Sequence, residues 1–267
     1  MKLSIFFLLI SLCCLIDTVP AQILNVEKQR LSGDSVNYFL GNITAAFSAN
    51  NLSINDEGET VSFVGLNANS DFGYISEHHS FMLLSDFNYA ATSDDPINST
   101  GYGHFRINFL RDRDLSYEAF TQLQYDQGRG MEVRWLAGGG IRLHLLKKKD
   151  VGIYAGIGAM YENEVWETPG AEERTVTLRL WKSSNYLSSR IRFNEHVNLN
   201  LIAYYQTGYD FDREFFRHRV SSDLNLLVGI TEVLSLTTSV FAGYENRPVV
   251  PITKFIYSVS NGIQLSF

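Results

Sequence analysis

The chain has 267 residues, with 22 Lys and Arg against 29 Asp and Glu, a formal net charge of -7 and 13% aromatic residues. That acidic balance argues against a nucleic-acid partner, which needs a basic surface. The 2 cysteines, Cys13 and Cys14, both lie near the N-terminus, so the chain beyond them can form neither a disulfide nor a thiolate metal site.

The N-terminus has the pattern of a secretory leader. Lys2 supplies the positive charge, residues 3–16 are nearly all apolar, and Val19-Pro20-Ala21 offers a small-residue cleavage site before Gln22. The apolar run is short for a membrane helix, which needs about 20 residues. Acylation of Cys13 or Cys14 would want a small residue just before the cysteine, and Leu12 fits that poorly. Loss of residues 1–21 leaves about 246 of the 267 residues, long for one soluble domain and normal for one barrel. Beyond the leader no run of 18 apolar residues occurs, which excludes helical membrane spans. Proline is scarce (5) and aromatics are plentiful (Tyr 14, Phe 18), as in a strand-rich chain, because proline removes a ladder donor.

From residue 36 onward the apolar period is two. It predicts twelve strands at roughly 36–49, 60–75, 78–92, 101–112, 115–127, 130–147, 150–163, 183–194, 197–209, 215–230, 232–245 and 253–267. In the fifth, Leu115, Tyr117, Ala119, Leu123 and Tyr125 share one face, and Ser116, Glu118, Gln122 and Gln124 the other. In the sixth, Met131, Val133, Trp135, Ala137, Gly139, Ile141, Leu143 and Leu145 alternate with Glu132, Arg134, Gly138, Gly140, Arg142 and His144. A face holding Glu132, Arg134, Arg142 and His144 does not suit the core of a soluble sandwich. Its apolar counterpart is long enough to cross a bilayer as a tilted strand of about 9–11 residues. Connections after every second strand are short, whereas segments 50–59, 93–100, 164–182 and 246–252 read as longer loops. Short periplasmic turns and long external loops are the usual barrel asymmetry.

The inward polar set predicted from this alternation is Arg106, Glu118, Gln122, Gln124, Glu132, Arg134, Arg142, His144, Arg190, Arg192, Arg217, Arg219 and Asp223. Arg106, Glu118 and Arg134 fall on three consecutive strands and are expected to meet. The set reads either as a structural ladder, since opposite charges on neighbouring strands hold register, or as a lining for an anionic solute, since Arg outnumbers acid. Gly138, Gly140, Gly156 and Gly158 fall inward on neighbouring strands, either as relief of crowding or as a smooth patch for a ligand or an infolded loop. His218 and Ser222 point outward four residues apart, beyond the reach that a nucleophile and its base require. His78-His79 sits at a turn, on opposite faces of a strand. No dinucleotide fingerprint, phosphate loop or zinc-protease motif occurs, so neither a cofactor nor a catalytic residue is expected.

The chain ends Ser260-Asn261-Gly262-Ile263-Gln264-Leu265-Ser266-Phe267. A polar residue, a glycine, spaced apolar residues and a final aromatic resemble the C-terminal signal that bacterial outer-membrane barrels present to their assembly machinery, with Ser260, Gly262, Leu265 and Phe267 as its elements. A second resemblance lies in the strands. His104-Phe105-Arg106-Ile107-Asn108-Phe109, Leu115-Ser116-Tyr117-Glu118-Ala119-Phe120-Thr121-Gln122, Arg134-Trp135-Leu136-Ala137-Gly138-Gly139-Gly140-Ile141-Arg142 and Ala203-Tyr204-Tyr205-Gln206 follow in order. Over about residues 36–267 the chain resembles the salt-induced outer-membrane protein family (YdiY-like), mostly catalogued as a domain of unknown function. Asp210-Phe211-Asp212-Arg213 departs from that family's pattern, and Phe216-Arg217 replaces its acidic-Tyr-Arg motif only loosely. The resemblance implies a membrane barrel with a role in envelope stress, and no mechanism or ligand.

The expected fold is all-β: a signal peptide (1–21), a short periplasmic segment (22–35) and a transmembrane antiparallel up-and-down β-barrel of about twelve strands (36–267). The expected location is the outer membrane of a Gram-negative cell after Sec export. The expected partners are outer-membrane lipid and the barrel assembly machinery, with a small solute left open. A structural or narrow-channel role is expected rather than an enzymatic one. An outer-membrane lipid hydrolase and a soluble periplasmic β-domain stand as the alternatives.

Overall fold

Strict alternation of polar and apolar residues gives every strand two unlike faces, and a chain of such strands has to turn one face inward. The computed structural model describes residues 37–53, 60–93, 96–168, 175–231 and 234–265. The expected leader, the segment 22–35 and Phe267 lie outside these residues. Twelve strands follow one another: β1 (Tyr38–Ser53), β2 (Thr60–Ile75), β3 (His79–Thr92), β4 (Pro96–Phe109), β5 (Leu115–Asp126), β6 (Met131–Lys148), β7 (Val151–Glu167), β8 (Thr175–Arg192), β9 (Val197–Asp210), β10 (Phe215–Gly229), β11 (Leu234–Glu245) and β12 (Phe255–Leu265). They form one antiparallel sheet in sequence order. Among the described residues no ladder joins β1 to β12, so these two are its edges.

All twelve expected strands are present, and the differences concern their ends. β7 runs on to Glu167 and β8 begins at Thr175, so most of the loop expected over 164–182 is strand. The alternation continues there with its polarity mixed. Glu162, Glu164 and Trp166 point inward, with Leu180 opposite Glu162 and Leu178 opposite Glu164, while Arg179 and Trp181 are exposed. β4 likewise starts at Pro96 and absorbs most of the expected loop 93–100. The expected contrast between short turns and long loops is therefore weaker than the sequence suggests. One connection of the long-loop end, 246–254, folds inward: Val250 packs with Met131 and Trp166 in a buried cluster.

The sheet is rolled, because side chains from distant strands meet on its inner face. Arg106 of β4 donates to the Tyr204 hydroxyl of β9 at 3.4 Å. Arg219 of β10 reaches Glu162 and Glu164 of β7. One cavity has walls from Asn98 on β4, Asp126 on β5 and Ser258 on β12. The burial is inverted relative to a soluble protein. Glu162 and Glu164 are fully buried at 0% exposure, whereas Ile43, Leu123, Ile157, Leu187, Tyr257 and Ile263 stand exposed on the outer face, Ile263 at 73%. Two aromatic groups border that face. Phe39, Tyr74, Phe81, Phe109 and Tyr117 lie toward the end holding turns 76–78 and 110–114. Tyr125, Trp135, Tyr161, Trp181, Tyr209 and Phe216 lie toward the other, with Tyr161 edge-on to both tryptophans.

Glycine decides the packing where β6 meets β7. Gly140 lies opposite Gly158, and Gly156 lies between Arg142 and Tyr186. A Cβ on Gly156 would stand 2.0 Å from the Tyr186 ring, and one on Gly140 would stand 2.4 Å from the Ile157 carbonyl oxygen and 2.7 Å from the Gly158 Cα. The bare backbone lets the Tyr186 side chain cross β7 and β6 and donate to Glu118 Oε2 on β5 at 2.6 Å. On the outer face, a Cβ at Gly103 meets nothing within 4 Å. Gly140→Ala is therefore expected to lower stability by about 1–3 kcal/mol, the usual cost of overpacking, and Gly103→Ala to leave it unchanged. Urea midpoints of the refolded variants check this, and equal midpoints would contradict the packing.

Candidate functional site

Alternation alone places β7 residues Glu162 and Glu164 side by side on the inner face, and the neighbouring strands bring cations to them. Arg134 of β6 donates from Nε to Glu162 Oε1 at 2.6 Å and stands 3.2 Å from Glu164 Oε1. Lys182 of β8 pairs with Glu162 Oε2. Arg219 of β10 contacts Glu162 at 3.1 Å, Glu164 at 3.0 Å and Glu245 of β11 at 3.1 Å. Trp166 Nε1 donates to Glu164 Oε2 at 2.9 Å. Three carboxylates and three cations thus close into one buried network. Removing either member of such a buried pair would strand a charge where water is scarce.

A second group sits nearer the opposite end. Glu118 lies 3.9 Å from Arg106 and 3.7 Å from Arg142, and it accepts the Tyr186 hydroxyl. The Arg142 guanidinium lies 3.8 Å over the Tyr154 ring, and His144 stacks on that ring at 4.2 Å. A third group is built on Asp210 at the end of β9. Its Oδ2 accepts from Arg217 Nε at 2.9 Å and lies 3.3 Å from Arg213. Arg217 also bonds the Arg247 carbonyl oxygen, tying loop 246–254 to β10.

The remaining residues of the expected set divide. Gln122 meets His104 Nδ1 at 3.0 Å and donates to Gln124, which in turn accepts from Arg134. Asp223 points inward and accepts from Asn225. Arg190 is half-buried opposite Gly152. Two residues do not belong. Glu132 is exposed, because the register shifts between Met131 and Val133 and the extra residue turns it outward. Arg192, the last residue of β8, is exposed as well.

Arg134 does not meet Glu118. Glu118 lies opposite Gly140, six residues along β6 from Arg134 and so about 20 Å away; Gln124 is the residue opposite Arg134. The expected excess of arginine also disappears once the inward Glu162, Glu164, Asp210 and Glu245 are added. None of these four, nor Lys182, is in the sequence-derived set. Glu162 lies inside the strand expected over 150–163 and was passed over; the signal for Glu164 was a continued period of two into the segment 164–182, which the sequence Pro169-Gly170 marks as a loop.

On the outer face His218 does not pair with Ser222. Its Nδ1 lies 2.9 Å from the Tyr205 hydroxyl, and its ring stacks between Tyr205 and Phe216. His78 is exposed and lies 3.3 Å from Asp112. At Asp112 desolvation works upward but is outweighed by its backbone amide, His78 and Arg113 acting together, which leave the carboxyl below the ordinary range. Among the described residues no group of His, Cys, Asp and Glu has the arrangement of a metal site.

A family model described as a protein of unknown function, DUF481, matches residues 57–251. The chain belongs to that family. No curated protein matches it. The match begins just before β2 and ends in loop 246–254, so it contains all six members of the Glu162 network and leaves β1 and β12 outside. It is narrower than the span 36–267 over which the sequence resemblance runs. In this DUF481 chain, Glu162→Ala is expected to cost about 3–5 kcal/mol, the range for breaking a buried ion pair. Glu132→Ala is expected to stay within about 0.5 kcal/mol, as for other surface changes. Equal urea midpoints for the two variants would contradict the placement of both carboxylates.

Proposed function

We propose that this protein is an integral outer-membrane β-barrel without catalytic activity, its interior braced shut by ion pairs rather than open as a pore. The observation that carries the reading is the outer face: exposed apolar side chains between two aromatic groups, on a sheet that buries the Glu162 and Glu118 ion pairs within it. Aromatic residues favour the two membrane interfaces, and barrels carry such girdles about an apolar band roughly 25 Å tall. Tyr117 and Tyr125 are eight residues apart on β5, about 27 Å along the strand, or about 20 Å after a usual barrel tilt. Ser260, Gly262, Leu265 and Phe267 would present the assembly signal, and β1 would pair with β12 on insertion to remove both sheet edges. Export would proceed through the Sec route, with cleavage after Ala21.

A structural role is favoured over a channel because Glu162 is shared among three cations and Glu164 between two, and because Val250 is packed into the loop end. The resemblance to the salt-induced family supports a place in the response to salt or envelope stress. The hydrolase reading lacks a site, since the His218 ring is engaged by Tyr205.

Unboiled protein is expected to migrate differently from boiled protein in a detergent gel, and identical migration would count against a barrel. Charge on the outer face at mid-membrane costs about 2–4 kcal/mol. Ile157→Arg and Leu187→Arg should therefore fold poorly into lipid vesicles. Ser258→Lys, facing a cavity that also holds Asp126, should fold normally. In planar bilayers the wild-type protein should give no steady conductance. A stable anion-selective current would replace the braced reading with the channel.

A further inference from the structure

Between the Glu162 and Glu118 networks lies a cavity of about 150 Å³ that bracing does not explain. Phe120, Met160 and Phe241 form its apolar wall, and His104, Tyr204 and Gln206 contribute polar atoms. His104 is 4% exposed. Its Nδ1 is engaged by Gln122 at 3.0 Å, but its Nε2 is buried without a hydrogen-bond partner in the protein. Gln206 Oε1 is in the same condition. Gln122 Oε1 can only accept, so Nδ1 carries the proton and Nε2 is an acceptor like Gln206 Oε1. Buried polar atoms are hydrogen-bonded in about nine cases of ten or more, so two unmatched acceptors around one cavity mark a place for a ligand that donates hydrogen bonds.

Charge and size narrow the ligand. The charged groups deep in the wall are matched within the protein: Arg134 and Arg219 by Glu162, Glu164 and Glu245, and Arg106 by Glu118 and Tyr204; Arg129 lies over the Trp166 ring, and Lys254 is exposed at the loop end. An ion entering would have to break these pairs, whereas an uncharged molecule would not. At about 15 Å³ per water-sized centre, the space takes on the order of ten non-hydrogen atoms. Mixed walls of aromatic and neutral hydrogen-bonding groups suit a molecule with apolar C–H faces and a rim of hydroxyls. We propose that this cavity binds an uncharged polyhydroxylated solute of about monosaccharide size, held by His104 Nε2 and Gln206 Oε1 against the Phe120 and Phe241 rings. Loop 246–254 closes over it, with Thr253 and Lys254 in the wall. The site rests on the reading that the rolled sheet encloses this face, which the gel shift reports independently.

The test is calorimetric titration of the folded full chain, in a zwitterionic detergent free of sugar, with glucose, galactose and xylose, and with gluconate and glucosamine as charged counterparts. Saturable binding of at least one neutral sugar is expected, with weaker binding of its charged counterpart. His104→Leu and Gln206→Met should each weaken it about tenfold, the scale of one buried hydrogen bond, while keeping the heat-dependent gel shift. The outer-face variant Leu123→Ala should bind like the wild type. If His104→Leu fails to fold, the near-isosteric Gln206→Met decides alone. Absence of saturation up to about 10 mM, preference for a charged compound, or unchanged binding by folded Gln206→Met overturns the proposal. Loss of the wild-type gel shift would overturn the barrel reading instead.

Discussion

Glu162 holds three cations that arrive from three different strands. Arg134 and Lys182 come from its neighbours β6 and β8, but Arg219 comes from β10, beyond both β8 and β9. That last contact requires the sheet to curve. A buried carboxylate surrounded by too few cations would be costly, and a buried arginine without its acids equally so, so the curvature and the charges are mutually required. The Glu118 group repeats the pattern at the other end. There the Tyr186 side chain bridges three strands over a glycine seam that leaves room for it. Backbone ladders make the sheet, and these inner-face contacts give it its roll.

The strand count and order were legible because the period of two persists through nearly every segment and each strand pairs with the next. The two faces were legible wherever charged and aliphatic residues alternate cleanly, as in β4, β5 and β6. The sequence was least informative where the inner face itself becomes apolar. In β8, Leu178 and Leu180 point inward and Arg179 outward, reversing the expected polarity and disguising a strand as a loop. A single extra residue at the start of β6 was enough to turn Glu132 outward. Contacts across the interior were not legible at all, because the period of two gives a side chain's face and not its height. Arg134 was for that reason matched to Glu118 rather than to Glu162.

The same geometry orders the functional readings. Paired charges consume the groups that would otherwise select an ion, and loop 246–254 fills one end. Beside the aromatic rings of the cavity between the two networks, an imidazole nitrogen and an amide oxygen are left without a hydrogen-bond partner. Membership of the DUF481 family agrees with the sheet and carries no assigned activity, so the chemistry of these inner residues is the most specific guide to what the protein does.

The central claim is that Glu162 and Arg219 stabilise the fold through each other across the rolled sheet. A double-mutant cycle on urea unfolding in lipid vesicles, with Glu162→Gln, Arg219→Gln and the two combined, measures that coupling directly. The account predicts a favourable coupling of about 0.5–3 kcal/mol, the range for residues in one ion-pair network. Additive effects of the two substitutions would show that β10 does not reach β7, and that the interior is not braced by its charges.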